Sequence, residues 1–244
     1  MTEFEQMDES ERLQFTEFKR NLNRQAAQAQ VGKIEYELTD ASVDKNILKR
    51  VCQDANALKL GAICTLPCYV RTCAMLLGKD PQTSLIACIS SPHGGDTTEI
   101  KVKAIKDAVK NGVDEVEVTA PIAYVKDANW GYVKRELKKL KGAAKKCGLR
   151  INIESPLLTP QEITKLCTLA ADCGITSLRV SSDSYGIPDA EVVTRIKAAV
   201  KDKCTVKAVG ITGLADMNVA FDMGAGIVGS KNAADLARLI FQTV

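Results

Sequence analysis

The 244-residue sequence has one histidine, His93, and no two cysteines in a Cys-x-x-Cys spacing. A zinc centre would have to be assembled from scattered thiolates and carboxylates, so neither a metal nor another cofactor is expected. No apolar run is long enough to cross a bilayer, and the first thirty residues are polar and mixed in sign. That pattern argues against a signal peptide and a membrane span, and a cytoplasmic protein without a membrane partner is expected. Nor is there a large excess of one charge. The net charge is +3 with 26% charged residues, well short of the polycationic face of a dedicated nucleic-acid binder. The nine cysteines lie mostly within apolar segments (Cys64, Cys88, Cys147, Cys167, Cys173, Cys204) and lack the spacing of a disulfide framework. They read as reduced core or near-core thiols.

What is present is an alternation. After a polar helical extension (1–30, helical from about 8 to 28), short β-branched runs alternate with amphipathic stretches through residues 31–244. The strands predicted are Lys33–Leu38, Gly61–Thr65, Leu85–Ser90, Glu115–Thr119, Leu149–Glu154, Ser177–Ser181, Thr205–Val209 and Gly226–Gly229. Between them, Trp130, Val133, Leu137, Leu140 and Ala144 recur at helical spacing, as do Ile100, Ala104, Ile105, Ala108 and Val109, the latter stopped by Asn111-Gly112. Thr159-Pro160 and Pro188-Asp189 read as helix starts. No Gly-x-Gly-x-x-Gly turn follows the first strand. A closed (β/α)8 TIM barrel behind a short N-terminal helical extension is therefore expected rather than an open dinucleotide-binding sheet.

Working residues of such a barrel sit at the C-terminal ends of its strands. That rule selects Glu117 on the fourth strand, Arg150, Asn152 and Glu154 on the fifth, Arg179 on the sixth and Lys207 on the seventh. With them go the glycine turns after the seventh and eighth strands. Charged residues are unusual inside barrel strands; if they point inward, three cations and two carboxylates converge on one mouth.

Several phrases resemble the deoxyribose-phosphate aldolase family from about Tyr36 to Leu239. These are Gly61-Ala62-Ile63-Cys64 with Pro67, Ser91-Pro92-His93-Gly94, Asp114-Glu115-Val116-Glu117-Val118, Lys207-Ala208-Val209-Gly210 and Val228-Gly229-Ser230. The resemblance implies a class I aldolase that cleaves 2-deoxyribose 5-phosphate to acetaldehyde and glyceraldehyde 3-phosphate through a Schiff base. In that family the Schiff-base lysine stands in a Lys-Thr-Ser-Thr-Gly phrase on strand six. Here the phrase reads Arg179-Val180-Ser181-Ser182-Asp183. A guanidinium stays protonated and cannot be the nucleophile. The family's proton-shuttling aspartate corresponds to Glu117, its strand-five lysine to Arg150 and its second strand-seven glycine to Ile211. The second lysine is retained as Lys207. A divergent, catalytically depleted paralogue of the kind seen in apicomplexan parasites is the reading these departures imply.

Three functions follow as expectations. The first is a pseudoenzyme that binds a sugar phosphate or other small anion through Arg150, Gly210, Gly229, Ser230 and Lys231. The second is altered lyase chemistry with Lys207 as the amine and Glu117 as the acid-base group. The third is a scaffold whose basic helix face, with Lys134, Lys138, Lys139, Lys145 and Lys146, docks an acidic protein partner such as actin filaments.

Overall fold

The computed structural model describes residues 8–79, 81–187, 189 and 191–243. Helix α1 (Glu9–Val31) comes first, started by a capping box in which Asp8 and Glu11 each accept the other's backbone N–H. Then follow β1 (Ile34–Leu38), α2 (Lys45–Leu58), β2 (Ala62–Thr65), α3 (Val70–Leu77), β3 (Ser84–Ile89), α4 (Thr98–Lys110) and β4 (Glu115–Thr119). A short α5 (Ile122–Lys126) precedes α6 (Trp130–Ala143) and β5 (Gly148–Asn152). The chain closes with α7 (Pro160–Asp172), β6 (Ser177–Arg179), α8 (Glu191–Val200), β7 (Thr205–Ala208), α9 (Leu214–Asp222), β8 (Ile227–Ser230) and α10 (Ala233–Gln242). The strands pair in parallel, each with its sequence neighbour, and β8 returns to β1, closing the barrel.

Local chemistry sets the helix starts. Asp44 and Thr97 accept backbone N–H groups at the heads of α2 and α4. Thr159 does the same for α7, with Pro160 at the first position and Glu162 completing a capping box. The Pro188-Asp189 start falls partly outside the described residues, since Pro188 is not among them.

Two helix faces differ from their apolar pattern. On α4, Ile105 and Ala108 are buried as expected, but Ile100 is 50% exposed and Lys101 is fully buried instead. On α6, Val133, Leu137 and Leu140 face the barrel, and Glu136 turns inward beside them. The reason is one interaction: Lys101 Nζ lies 2.7 Å from Glu136 and donates to the Thr119 carbonyl at 3.0 Å, while Thr98 donates to the same carboxylate at 2.7 Å.

The alternation of each strand separates two cores. Residues such as Ile34, Ile63, Leu85, Val116, Ile151, Leu178, Val206 and Val228 pack beneath the helices in one continuous apolar cluster. Ala62, Cys64, Ile86 and Cys88 form a small separate cluster on β2 and β3. Beside that cluster the barrel is filled by charged side chains. Ordinary barrels use bulky branched residues there.

Candidate active site

Glu117 is the hub of the barrel interior and is fully buried. One of its oxygens is held by Arg179 Nη1, and the other lies 3.3 Å from Arg150 Nη1 and 3.4 Å from Lys207 Nζ. The cations are shared with acids from β1. Lys207 Nζ sits 2.6 Å from Glu35 and 2.5 Å from Glu37. Arg150 forks onto Glu35 at 2.7 and 2.8 Å, and its Nε lies 3.2 Å from Glu115. Arg179 also reaches Glu37 at 3.0 Å and donates Nε to the Ser181 carbonyl at 2.5 Å. Four carboxylates thus meet three cations in a single network.

The electrostatics follow from that packing. Burial pushes the Glu117 carboxyl up, but Arg179, Lys207 and Arg150 outweigh it and hold the group well below the usual range. Glu35 behaves alike: burial opposes its charge, and Lys207 and Arg150 bring it down to about 2. For Lys207 burial disfavours the ammonium, yet Glu117, Glu35 and Glu37 together raise it above its ordinary value. Glu115, nearer the solvent, is raised by burial in spite of Arg150. Cys64 and Cys88 each lie 3.8 Å from Glu117, and the three groups are close enough to one another for a metal ion. Their chemistry does not suit one: the Cys88 contact and burial push the Cys64 thiol well up, and Glu117 is already surrounded by three cations.

Above this network the strand ends carry polar groups. Asn152 donates to Glu154 at 2.7 Å, and Glu154 accepts the Ser182 backbone N–H at 3.2 Å. Loops from opposite sides meet across the opening, where His93 Nδ1 is bonded to the Tyr185 hydroxyl. The expected ligand turns are occupied from within. Gly210 (φ +75°) has the Ile187 side chain against it, so a Cβ there would lie 2.7 Å from that side chain. A Cβ on Gly229 would lie 2.5 Å from a Glu37 oxygen and 2.8 Å from Lys207 Cε, so this glycine makes room for the Glu37–Lys207 pair. The Ser230 hydroxyl donates to the Ile211 carbonyl at 2.6 Å and accepts the Asn232 N–H at 3.0 Å, and Lys231 is exposed.

Of the residues expected in the site, Glu117, Arg150, Arg179 and Lys207 come together at the barrel centre, with Arg150 1% exposed at the floor rather than at the mouth. Gly229 packs against Lys207 of this group and Gly210 against Ile187 instead, while Lys134, Lys138, Lys139, Lys145 and Lys146 lie on the solvent face of α6 and the turn after it. Sequence reasoning missed Glu35, Glu37 and Glu115. The signal was the alternation Ile34-Glu35-Tyr36-Glu37-Leu38, in which the acids take the inward phase of a strand whose outward phase is apolar.

Comparison with known proteins bears on the family and the fold. The model of the DeoC/LacD family aldolases matches residues 23–203. Deoxyribose-phosphate aldolase from Mycoplasma capricolum is 28% identical over 208 residues, covering 83% of this chain and 92% of that protein. The Clostridium perfringens protein of the same name is 30% identical over 201 residues, 81% of this chain and 89% of its own. Among solved structures, a deoxyribose-phosphate aldolase from Coccidioides immitis superposes with a TM-score of 0.84 at 22% identity, over 87% of this chain and 86% of that one. One from Toxoplasma gondii superposes at 0.78 and 15% identity, over 91% and 98%. With a closed eight-stranded barrel, a match over most of its length and relatives at this identity, the chain belongs to the DeoC/LacD aldolase family.

Proposed function

We propose that this chain is a DeoC/LacD-family protein without Schiff-base cleavage of 2-deoxyribose 5-phosphate. The observation that carries this reading is Arg179, buried at the strand-six position and clamped between Glu117 and Glu37. A guanidinium has no lone pair to attack a carbonyl at neutral pH. Lys207, the remaining amine of the site, is held as an ammonium by three carboxylates, which argues against altered lyase chemistry through it. Binding of a sugar phosphate rests on the exposed Lys231 and the head of α10, which has no side-chain cap, because Gly229 and Ser230 are taken up from within and the inner cations are matched by acids. A coupled aldolase assay and borohydride trapping test the reading. Wild type is expected to give neither turnover nor an adduct at Lys207, and R179K or R179K/E117D to restore imine formation. Turnover or trapping by wild type at Lys207 overturns it.

A second reading, not exclusive of the first, concerns α6. Lys134, Lys138, Lys139, Lys145 and Lys146 are all exposed, and of these only Lys139 pairs with an acid among the described residues, Glu99 at 3.0 Å. That face suits an acidic protein surface such as a filament. Charge reversal of Lys138, Lys139, Lys145 and Lys146 is expected to abolish salt-sensitive co-sedimentation with actin filaments; unchanged binding removes this face from consideration.

A further inference from the structure

We infer that the loop after β6 is a gate over the barrel interior, latched by Tyr185 to His93 on the loop after β3. The sheet order places β3 and β6 three positions apart in a ring of eight, so their loops rise from nearly opposite sides of the mouth. A side-chain bond from one loop to the other has to cross the opening. The contact of His93 Nδ1 with the Tyr185 hydroxyl does so, with the two rings tilted at 60° and their centroids 6.0 Å apart. Beneath it lie groups closed off from solvent: Glu117, Arg179 and Lys207 are at most 1% exposed, and Cys88 on β3 is 4% exposed.

The two sides of the latch are held with unequal firmness. The loop of His93 is the fixed post. Gly94 donates its N–H to the Ser90 carbonyl at 2.7 Å and lies so close to the turn after β4 that a Cβ would stand 1.9 Å from the Ala120 carbonyl oxygen. Thr97 then caps α4. The loop of Tyr185 is the movable arm. The N–H groups of Ser182, Asp183, Ser184 and Gly186 reach Glu154, Ser181 Oγ, Ser182 Oγ and the Asp183 carbonyl at 3.2, 3.1, 3.4 and 3.3 Å, all longer than the usual spacing of about 2.9–3.0 Å. The backbone turns through two positive φ angles, +71° at Asp183 and +101° at Gly186, the first at a residue that carries a Cβ. One oxygen of Asp183 is buried without a hydrogen-bond partner, so the closed position leaves unsatisfied a group that water satisfies on opening. The arm's other hold is Ile187, which packs on Gly210 yet stays 63% exposed. Closure thus depends on Tyr185 more than on the seat of the arm itself, the design of a loop that opens about a few positive-φ positions.

Hydrogen exchange on the full chain, read beside thiol labelling, tests this. Y185F removes only the hydroxyl, and H93A removes the other half of the latch. In both, the amides of residues 182–186 are expected to exchange about tenfold faster than in wild type. Val180, whose N–H is held by the Lys207 carbonyl at 3.1 Å, is expected to keep its wild-type rate. Methanethiosulfonate labelling of Cys88, followed by peptide mass, is expected to rise in step, while Cys167, buried on the inner side of α7, stays as slow as before. Wild-type exchange at residues 182–186 in both variants overturns the latch. Faster exchange without faster labelling of Cys88 overturns the gate, since the arm would then move without uncovering the interior. Acceleration that spreads to Val180 and Cys167 in Y185F overturns it too, because Tyr185 would then support the barrel as a whole.

Discussion

At the scale of single residues, the barrel interior ties stability to pH. Glu35 is lowered from an ordinary 4.5 to about 2, despite its burial, by Lys207 and Arg150. Its folded-state value lies below the unfolded one, so the unfolded chain takes up the proton first as pH falls. Its contribution, on the order of 3 kcal/mol, is therefore fully present above about pH 4.5 and lost on the way to pH 2. Glu115 is raised by burial, and by the same linkage it acts in the opposite sense, relieving part of the loss as it protonates first. A thermal-melt series from pH 7 to pH 3 is expected to show a small change down to pH 5 and a steep fall below pH 4, with E35Q flattening the acid limb. Gly229 gives a second outcome. With Glu37 and Lys207 inside contact distance of a Cβ, G229A is expected to lower stability by about 1–3 kcal/mol in urea titration. Sequence alone located Glu117, Arg150, Arg179 and Lys207, because charges within strands are conspicuous. It did not locate Glu35 and Glu37. Alternating acids on a first strand look the same whether the polar phase faces water or a barrel axis, and only closure of the sheet decides.

At the scale of elements, the strands were legible to within about two residues at their ends, since β-branched runs bounded by glycine and charge are a strong signal. The α7 start was legible as well, and T159A is expected to cost about 1 kcal/mol by removing its cap. The α4–α6 contact was not. A helical stripe of Ile100, Ala104, Ile105, Ala108 and Val109 points to one face, but the buried Lys101–Glu136 pair rotates the helix so that Ile100 meets solvent. No period in the sequence marks a lysine that is satisfied by an acid thirty-five residues away. Removing one partner strands the other without water, so K101M or E136Q is expected to destabilise by about 3–5 kcal/mol. The double variant K101M/E136L is expected to recover most of that, read from urea midpoints in a double-mutant cycle.

At the scale of the whole molecule, the described chain is a barrel whose apolar core lies outside its sheet and whose centre is ionic. The basic α6 surface points into solvent, so changes to it are expected to leave the barrel's melting temperature within about 2 °C of wild type, a check by calorimetry. The family was legible from phrases at strand ends, because chemistry concentrates there. The closed charge network couples its members to one another. Each inner carboxylate faces at least one cation and each cation faces two or more carboxylates, so a replacement at one position alters the fitness of replacements at the others. Replacing Arg179 by lysine keeps the charge balance of this interior, whereas loss of any one acid or cation leaves its partners unmatched, so compensating pairs of replacements are expected to be tolerated where single ones are not.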